Sequence, residues 1–218
     1  MLQPIYIIPI LFITVFFLVR AEFGKIKQQI FIFKPLSSIL LIIALILSYF
    51  STSNNINYSF GILLGLLFTL SGDIALMFPE NKKAFNIGLR LFLFAHVIYG
   101  TLFMMYGEFS INSILPVIAF LIIGILIFTY LKPNLGKMKI PVLLYIIIIS
   151  VMVISSFSLM NTFHGSQAIM VICGAISFYI SDLIMALSRF GKSWKYNRIS
   201  LVFYYTGQIL IALSAGYF

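Results

Sequence analysis

The chain has 218 residues, 62% of them hydrophobic and only 9% charged, with a formal net charge of +9 and a mean hydropathy of +1.13. Soluble domains are roughly 45–50% apolar and about 25% charged, so a fold dissolved in water is excluded, and long apolar runs without alternation exclude a β-barrel and leave membrane-spanning helices. The basic excess does not mark a nucleic-acid binder, because the lysines and arginines sit in short breaks between apolar runs, where they serve as topology signals and headgroup contacts.

Taken in chain order, the apolar runs predict eight spans at about 4–19, 35–50, 59–77, 84–104, 111–131, 138–159, 166–188 and 197–216. The opening MLQPIYIIPILFITVFFLVR lacks a basic leading region and reads as a first span rather than a cleaved signal peptide. Several spans are short for a core that asks for about 20 residues, a mismatch that local thinning of the bilayer absorbs. The expected fold is therefore an all-α polytopic membrane protein with eight transmembrane helices, one integral domain over residues 1–218.

The charges orient it. Arg20, Lys25, Lys27 and Lys34 fall between spans one and two; Lys82 and Lys83 between three and four; Lys132, Lys137 and Lys139 between five and six. Arg189, Lys192, Lys195 and Arg198 border the last loop, and Arg90 lies inside span four near the same side. The intervening loops STSNNINY and NTFHGSQ carry no lysine or arginine. All 14 basic residues thus belong to one side, which the positive-inside rule makes cytoplasmic, with both termini on the other side. The single cysteine, Cys173, lies within an apolar run, so no disulfide within the chain and no cysteine metal cluster is expected.

Two aspartates interrupt this pattern. TLSGDIALMF places Asp73 in span three and GAISFYISDLIMALSRF places Asp182 in span seven, 109 residues apart. Lys34-Pro35 opens span two much as Lys139-Ile140-Pro141 opens span six, and Arg90 and Arg198 begin spans four and eight. A four-helix unit used twice, with halves 1–108 and 109–218, matches these recurrences, and an even number of spans gives parallel repeats. At 1.5 Å per residue both aspartates lie roughly 10 Å below the basic surface, with His96 and Gln208 roughly 16–18 Å deep. His96 and Tyr99 share a helix face, as do Tyr204 and Gln208, while Arg90 points about 120° away from His96. Small residues Gly61, Gly65 and Gly72 in span three, and Gly174, Ser177 and Ser181 in span seven, form packing stripes. If the stripes faced each other, the two carboxyls would converge.

An acidic group within the bilayer costs about 3 kcal/mol on insertion scales and is retained chiefly at interior or wetted sites. Two carboxyls brought together out of water do not both ionise readily, so one can serve as acid while the other serves as base. Proton coupling in a transporter uses the same residue types, and on the residues alone the two readings stay open. No HExxH, GxSxG or P-loop motif is present.

The ordered set LLFTLSGDIALMF, NIGLRLFLFAHVIYG, GAISFYISDLIMALSRF and YYTGQILIALS resembles the lysoplasmalogenase (YhhN-type) family of integral membrane proteins, over most of the chain from Lys34-Pro35 to Ser214. The resemblance implies an eight-helix hydrolase that cleaves the vinyl ether bond of lysoplasmalogen to a fatty aldehyde and a glycerophospho-ethanolamine or -choline, without metal or cofactor. It implies Asp73 and Asp182 as the catalytic pair, with Lys34, His96, Tyr99, Tyr204, Tyr205 and Gln208 at the site. A neutral carboxylic acid would protonate the outer alkene carbon and the other carboxylate would stabilise the oxocarbenium ion and activate water. Lys34 and Arg90 would hold the phosphate. The expected partners are a lysophospholipid and the bilayer, the active site facing the cytoplasmic leaflet. The rival class is a small proton-coupled transporter or lipid flippase; a non-catalytic lipid-binding scaffold is the third.

Overall fold

The structure, a computed structural model, describes residues 3–52, 55–78, 80–163, 165–192 and 194–217. Ser53, Asn54 and His164, in the loops expected to lack charge, and Pro79 and Ser193, in basic loops, lie outside the described residues. Eight α-helices follow in order among the described residues: α1 Ile7–Gly24, α2 Lys27–Thr52, α3 Ile56–Leu76, α4 Lys82–Tyr106, α5 Ile114–Leu131, α6 Lys139–Ser158, α7 Gly165–Phe190 and α8 Ser200–Ser214. Seven are long and apolar enough to cross a membrane. The exception, α8, has 15 residues and is prolonged at each end by a 3-10 turn, Asn197–Ile199 and Ala215–Tyr217. The fold is all-α, and the chain is a multi-pass integral membrane protein. Side chains such as Phe12 (71% exposed), Leu126 and Ile125 stand outward, on a surface that only lipid tails can cover at no cost.

The helix ends have local causes. Asn55 caps α3 by accepting from the Tyr58 amide at 3.0 Å, and Asn81 caps α4 by accepting from the Lys83 and Ala84 amides. α1 runs to Gly24, past the expected end at residue 19, and stops where Lys25 turns left-handed (φ 52°) and returns its N–H to the Ala21 and Glu22 carbonyls. α2 starts at Lys27, eight residues before the expected start at Pro35, and carries Pro35 inside it. A proline removes a single donor, and helix neighbours make that tolerable within a bundle. The consequence is functional: Lys34, expected in a basic loop, is a buried helical residue, 6% exposed.

Packing recurs between the two halves. α3 lies chiefly against α4 and α7 against α8; α2 packs on α3 as α6 packs on α7; α1 packs on α2 as α5 packs on α6; and α4 lies against α6 as α8 lies against α2. The small-residue stripes do draw helices close, but not toward each other. That of α3 is filled by α4: a Cβ on Gly65 would run into the Tyr99 ring, and Leu102 and Phe92 cover Gly61 and Gly72. That of α7 is filled by α8, where a Cβ on Gly174 would stand 2.9 Å from the Gly207 carbonyl. Each groove already holds its own neighbour, so α3 and α7 have no shared face on which their carboxyls could meet.

Candidate functional site

Among the buried polar residues of the bundle, three groups hold the candidate site residues other than Arg90. The first surrounds Asp73, 2% exposed on α3. Its Oδ2 accepts from the Ser38 hydroxyl on α2 at 2.7 Å and from the Tyr204 phenol on α8 at 2.8 Å. Its Oδ1 lies 3.8 Å from Lys34 Nζ. Tyr205 donates to the Lys34 backbone carbonyl at 3.2 Å and lies 3.4 Å from the Ser38 hydroxyl. An anion buried at this depth is stable only with such compensation, and here one cation and two hydroxyls supply it.

The second group surrounds Asp182, 6% exposed on α7. Tyr145 on α6 donates to its Oδ2 at 2.6 Å, and His96 Nε2 on α4 lies 3.3 Å from the same oxygen. Among the described residues no lysine or arginine forms an ion pair with it. His96 itself is fully buried, its ring wedged against Phe178 (centroids 4.6 Å) and edge-on to Tyr145 (5.4 Å).

The third is a single pair: Tyr99 on α4 donates to Gln208 Oε1 on α8 at 3.0 Å, both side chains fully buried. Gln208 Nε2 has no hydrogen-bond partner among the described residues.

Among the described residues the two carboxyls share no hydrogen-bond partner. Ring contacts connect the two groups, Tyr204 edge-on to Phe178 (5.3 Å) and Phe178 tilted against His96 (4.6 Å). The arrangement therefore differs from a dyad holding one proton between two oxygens. Of the residues singled out in the sequence, Lys34, Asp73, Tyr204 and Tyr205 come together, His96 and Asp182 come together, and Tyr99 joins Gln208. Arg90 is exposed on α4 and pairs with neither aspartate. Sequence reasoning missed Ser38 and Tyr145, the two hydroxyls closest to the carboxyls. Ser38 lies one helical turn beyond Lys34, on its face, and Tyr145 occupies nearly the position of Ser38 in the second half, so the helical period and the suspected repeat both pointed there.

The Asp182 group borders a cavity. A narrow cavity of about 60 Å³ lies between α3, α4, α6 and α7, with Phe85, Leu89, Phe92, Tyr145, Asp182 and Arg189 in its wall. Apart from Asp182, the Tyr145 phenol and Arg189, its lining is apolar. Its lining, mostly apolar with a few convergent polar groups, has the chemistry of a site for a lipid-like molecule, at a volume that takes only part of one.

Comparison with known proteins agrees with the sequence resemblance. The YhhN family matches residues 29–215. A curated relative, lysoplasmalogenase TMEM86A of Bos taurus, is 31% identical over 159 residues, which cover 71% of this chain and 64% of the relative; the chain thus spans somewhat less than two thirds of that protein's length. No solved structure matches the chain. The match over nearly all of the bundle, including every residue of the three polar groups, makes the chain a member of the YhhN family.

Proposed function

We propose that the chain is a membrane-embedded hydrolase that cleaves the vinyl ether bond of a lysoplasmalogen-type lipid, releasing a fatty aldehyde and a glycerophospho-alcohol. The observation that carries this reading is Asp182, a buried carboxyl without a lysine or arginine partner, at the wall of an apolar slot. The name of the bovine relative supports the substrate class.

The chemistry follows from the geometry. Asp182, without a lysine or arginine in ion-pair reach among the described residues, takes the part of the acid. Asp182 transfers its proton to the outer alkene carbon, the step that makes an oxocarbenium ion. The resulting carboxylate, held by the Tyr145 phenol, faces the new cation and then takes a proton from the water that attacks it. The hemiacetal so formed collapses: Asp182, protonated again by the water, gives its proton to the leaving glycerol oxygen and, as carboxylate, takes the hemiacetal hydroxyl proton, so the site ends as it began. His96, 3.3 Å from the acid oxygen, orients the carboxyl and can carry the proton between steps. Asp73 works from behind. It anchors Lys34 and Tyr204, and the Tyr204 ring backs Phe178 and through it His96. The catalytic pair is thus divided, Asp182 reacting and Asp73 holding the frame. By the distribution of basic residues the slot opens toward the cytoplasmic leaflet.

Purified protein should release aldehyde from lysoplasmenyl-ethanolamine, and Asp182→Asn should not. The separation of the two carboxyls also favours a second reading, a proton-coupled lipid transporter with two distinct protonation sites; substrate flux across proteoliposomes with no aldehyde would select it.

A further inference from the structure

We propose that Arg189, at the mouth of the slot above Asp182, grips the phosphate of a single-chain glycerophospholipid and so sets which bond lies against the acid. The inference rests on the hydrolase reading for the identity of that bond, but not for the binding site itself.

Asp182 and Arg189 are seven residues apart on α7, two helical turns, so they lie on one face with a rise of roughly 10 Å between them. Both belong to the wall of the same slot, and so do Phe85, Leu89 and Phe92 on the facing stripe of α4. The slot therefore runs from a charged rim to a buried acid with apolar walls between. Arg189 is exposed and lies in the last turn of its helix, where the bundle's basic side begins. Its guanidinium carbon sits 4.5 Å from the centre of the Phe85 ring. Stacking of this kind fixes the plane of the fork and leaves its N–H edge free for a bidentate oxyanion.

Three basic residues near the helix ends are engaged in ion pairs; of those that are not, Arg189 is the one in the wall of the slot. Lys34 pairs with Asp73, Lys27 with Glu80 and Arg198 with Glu22, whereas Arg189 has no carboxylate partner among the described residues. The length also fits. A phosphate and the sn-1 ether oxygen of a glycerolipid are separated by the glycerol carbons, roughly 6 Å at about 1.5 Å per bond, and the reach of the arginine side chain covers the rest of the distance. A phosphate at Arg189 thus leaves the ether at the depth of Asp182 and the hydrocarbon chain against apolar helix faces. The slot, about 60 Å³, has room for the glycerol ether segment alone, and the single chain follows from the lysolipid of the hydrolase reading.

The test measures binding to full-length protein in a maltoside detergent, with the non-cleavable saturated ether 1-O-alkyl-lysophosphatidylethanolamine as the probe. The same alkylglycerol without phosphate, a dialkyl phosphatidylethanolamine and inorganic phosphate run beside it. Arg189→Gln should weaken the lysophospholipid about 10- to 100-fold, the worth of a charge-assisted contact, and leave the alkylglycerol unchanged. Arg189→Lys should fall between, and Lys137→Gln should match wild type. An Arg189→Gln affinity within about twofold of wild type would overturn the proposal, as would equal weakening of both single-chain lipids. Equal binding of the dialkyl lipid, or full competition by inorganic phosphate, would overturn the single-chain assignment. In turnover, Arg189→Gln should raise KM and, with the bond no longer held in register, also lower kcat. Should wild type release no aldehyde, the hydrolase reading fails while the binding arm still decides the role of Arg189.

Discussion

Tyr99 on α4 donates its phenol to Gln208 on α8 across 109 residues of sequence, the same separation that divides Asp73 from Asp182. The coincidence extends to the partners. Asp73 takes Ser38 from α2 and Tyr204 from α8, whereas Asp182 takes Tyr145 from α6 and His96 from α4. Each aspartate thus draws one partner from the second helix of its own half and one from the last helix of the other. We read this as a four-helix unit used twice about a pseudo-two-fold axis, with Tyr99 and Gln208 near the axis and the halves meeting there.

That position makes the pair a structural joint. Tyr99→Phe should leave both polar ends of the Gln208 amide unpartnered, at a cost of about 1–3 kcal/mol. Adding Gln208→Leu should recover most of the loss, because an apolar pair needs no partners. Thermal melting in detergent reads both, and a double variant no more stable than Tyr99→Phe would contradict the assignment.

The Lys34–Asp73 pair should behave as a buried ion pair. Lys34→Met alone leaves the Asp73 carboxylate uncompensated and should destabilise by about 3–5 kcal/mol. The combination Lys34→Met with Asp73→Asn should regain stability, since neutral groups in place of a buried pair are often tolerated. Additive losses in the double-mutant cycle would show that the two residues do not interact.

At the reacting carboxyl, Tyr145→Phe removes the 2.6 Å hydrogen bond to Asp182 while keeping the ring. It should lower kcat about tenfold or more, with KM little changed, because the bond matters most when the carboxylate has formed. A variant with raised KM and unchanged kcat would place Tyr145 in binding rather than in the chemical step.

Much of this was legible in the sequence, and what was not has a physical reason. Composition and run length give the eight helices because the bilayer tolerates little else. Asp73 and Asp182 stand out because a carboxyl in such a run is expensive. What a one-dimensional pattern lacks is the identity of neighbouring helices. The glycines of α3 and α7 announce close packing but not that α4 and α8 fill those grooves, and so convergence of the two carboxyls stayed conditional on which helices face each other. Tyr145 looked like one aromatic among many until α6 was seen against α7. Lys34 looked like a topology signal because Pro35 reads as a boundary, yet α2 carries the proline through and buries the lysine.

Orientation can be checked independently. In a Cys173→Ser background, a cysteine at Lys137 should label with a membrane-impermeant maleimide only from the cytoplasmic side of sealed vesicles, and one at Asn161 only from the other. Labelling of both from one side would contradict the topology.

The most direct test of the central claim is aldehyde release from lysoplasmenyl-ethanolamine by purified protein, with Asp182→Asn beside it at matched folding by melting temperature. The account predicts stoichiometric aldehyde and lysophospholipid loss with the wild-type chain and a fall of at least a thousandfold in the variant, as loss of both proton donor and acceptor requires. Wild-type rates in Asp182→Asn would contradict it, and so would a well-folded wild-type protein that releases none.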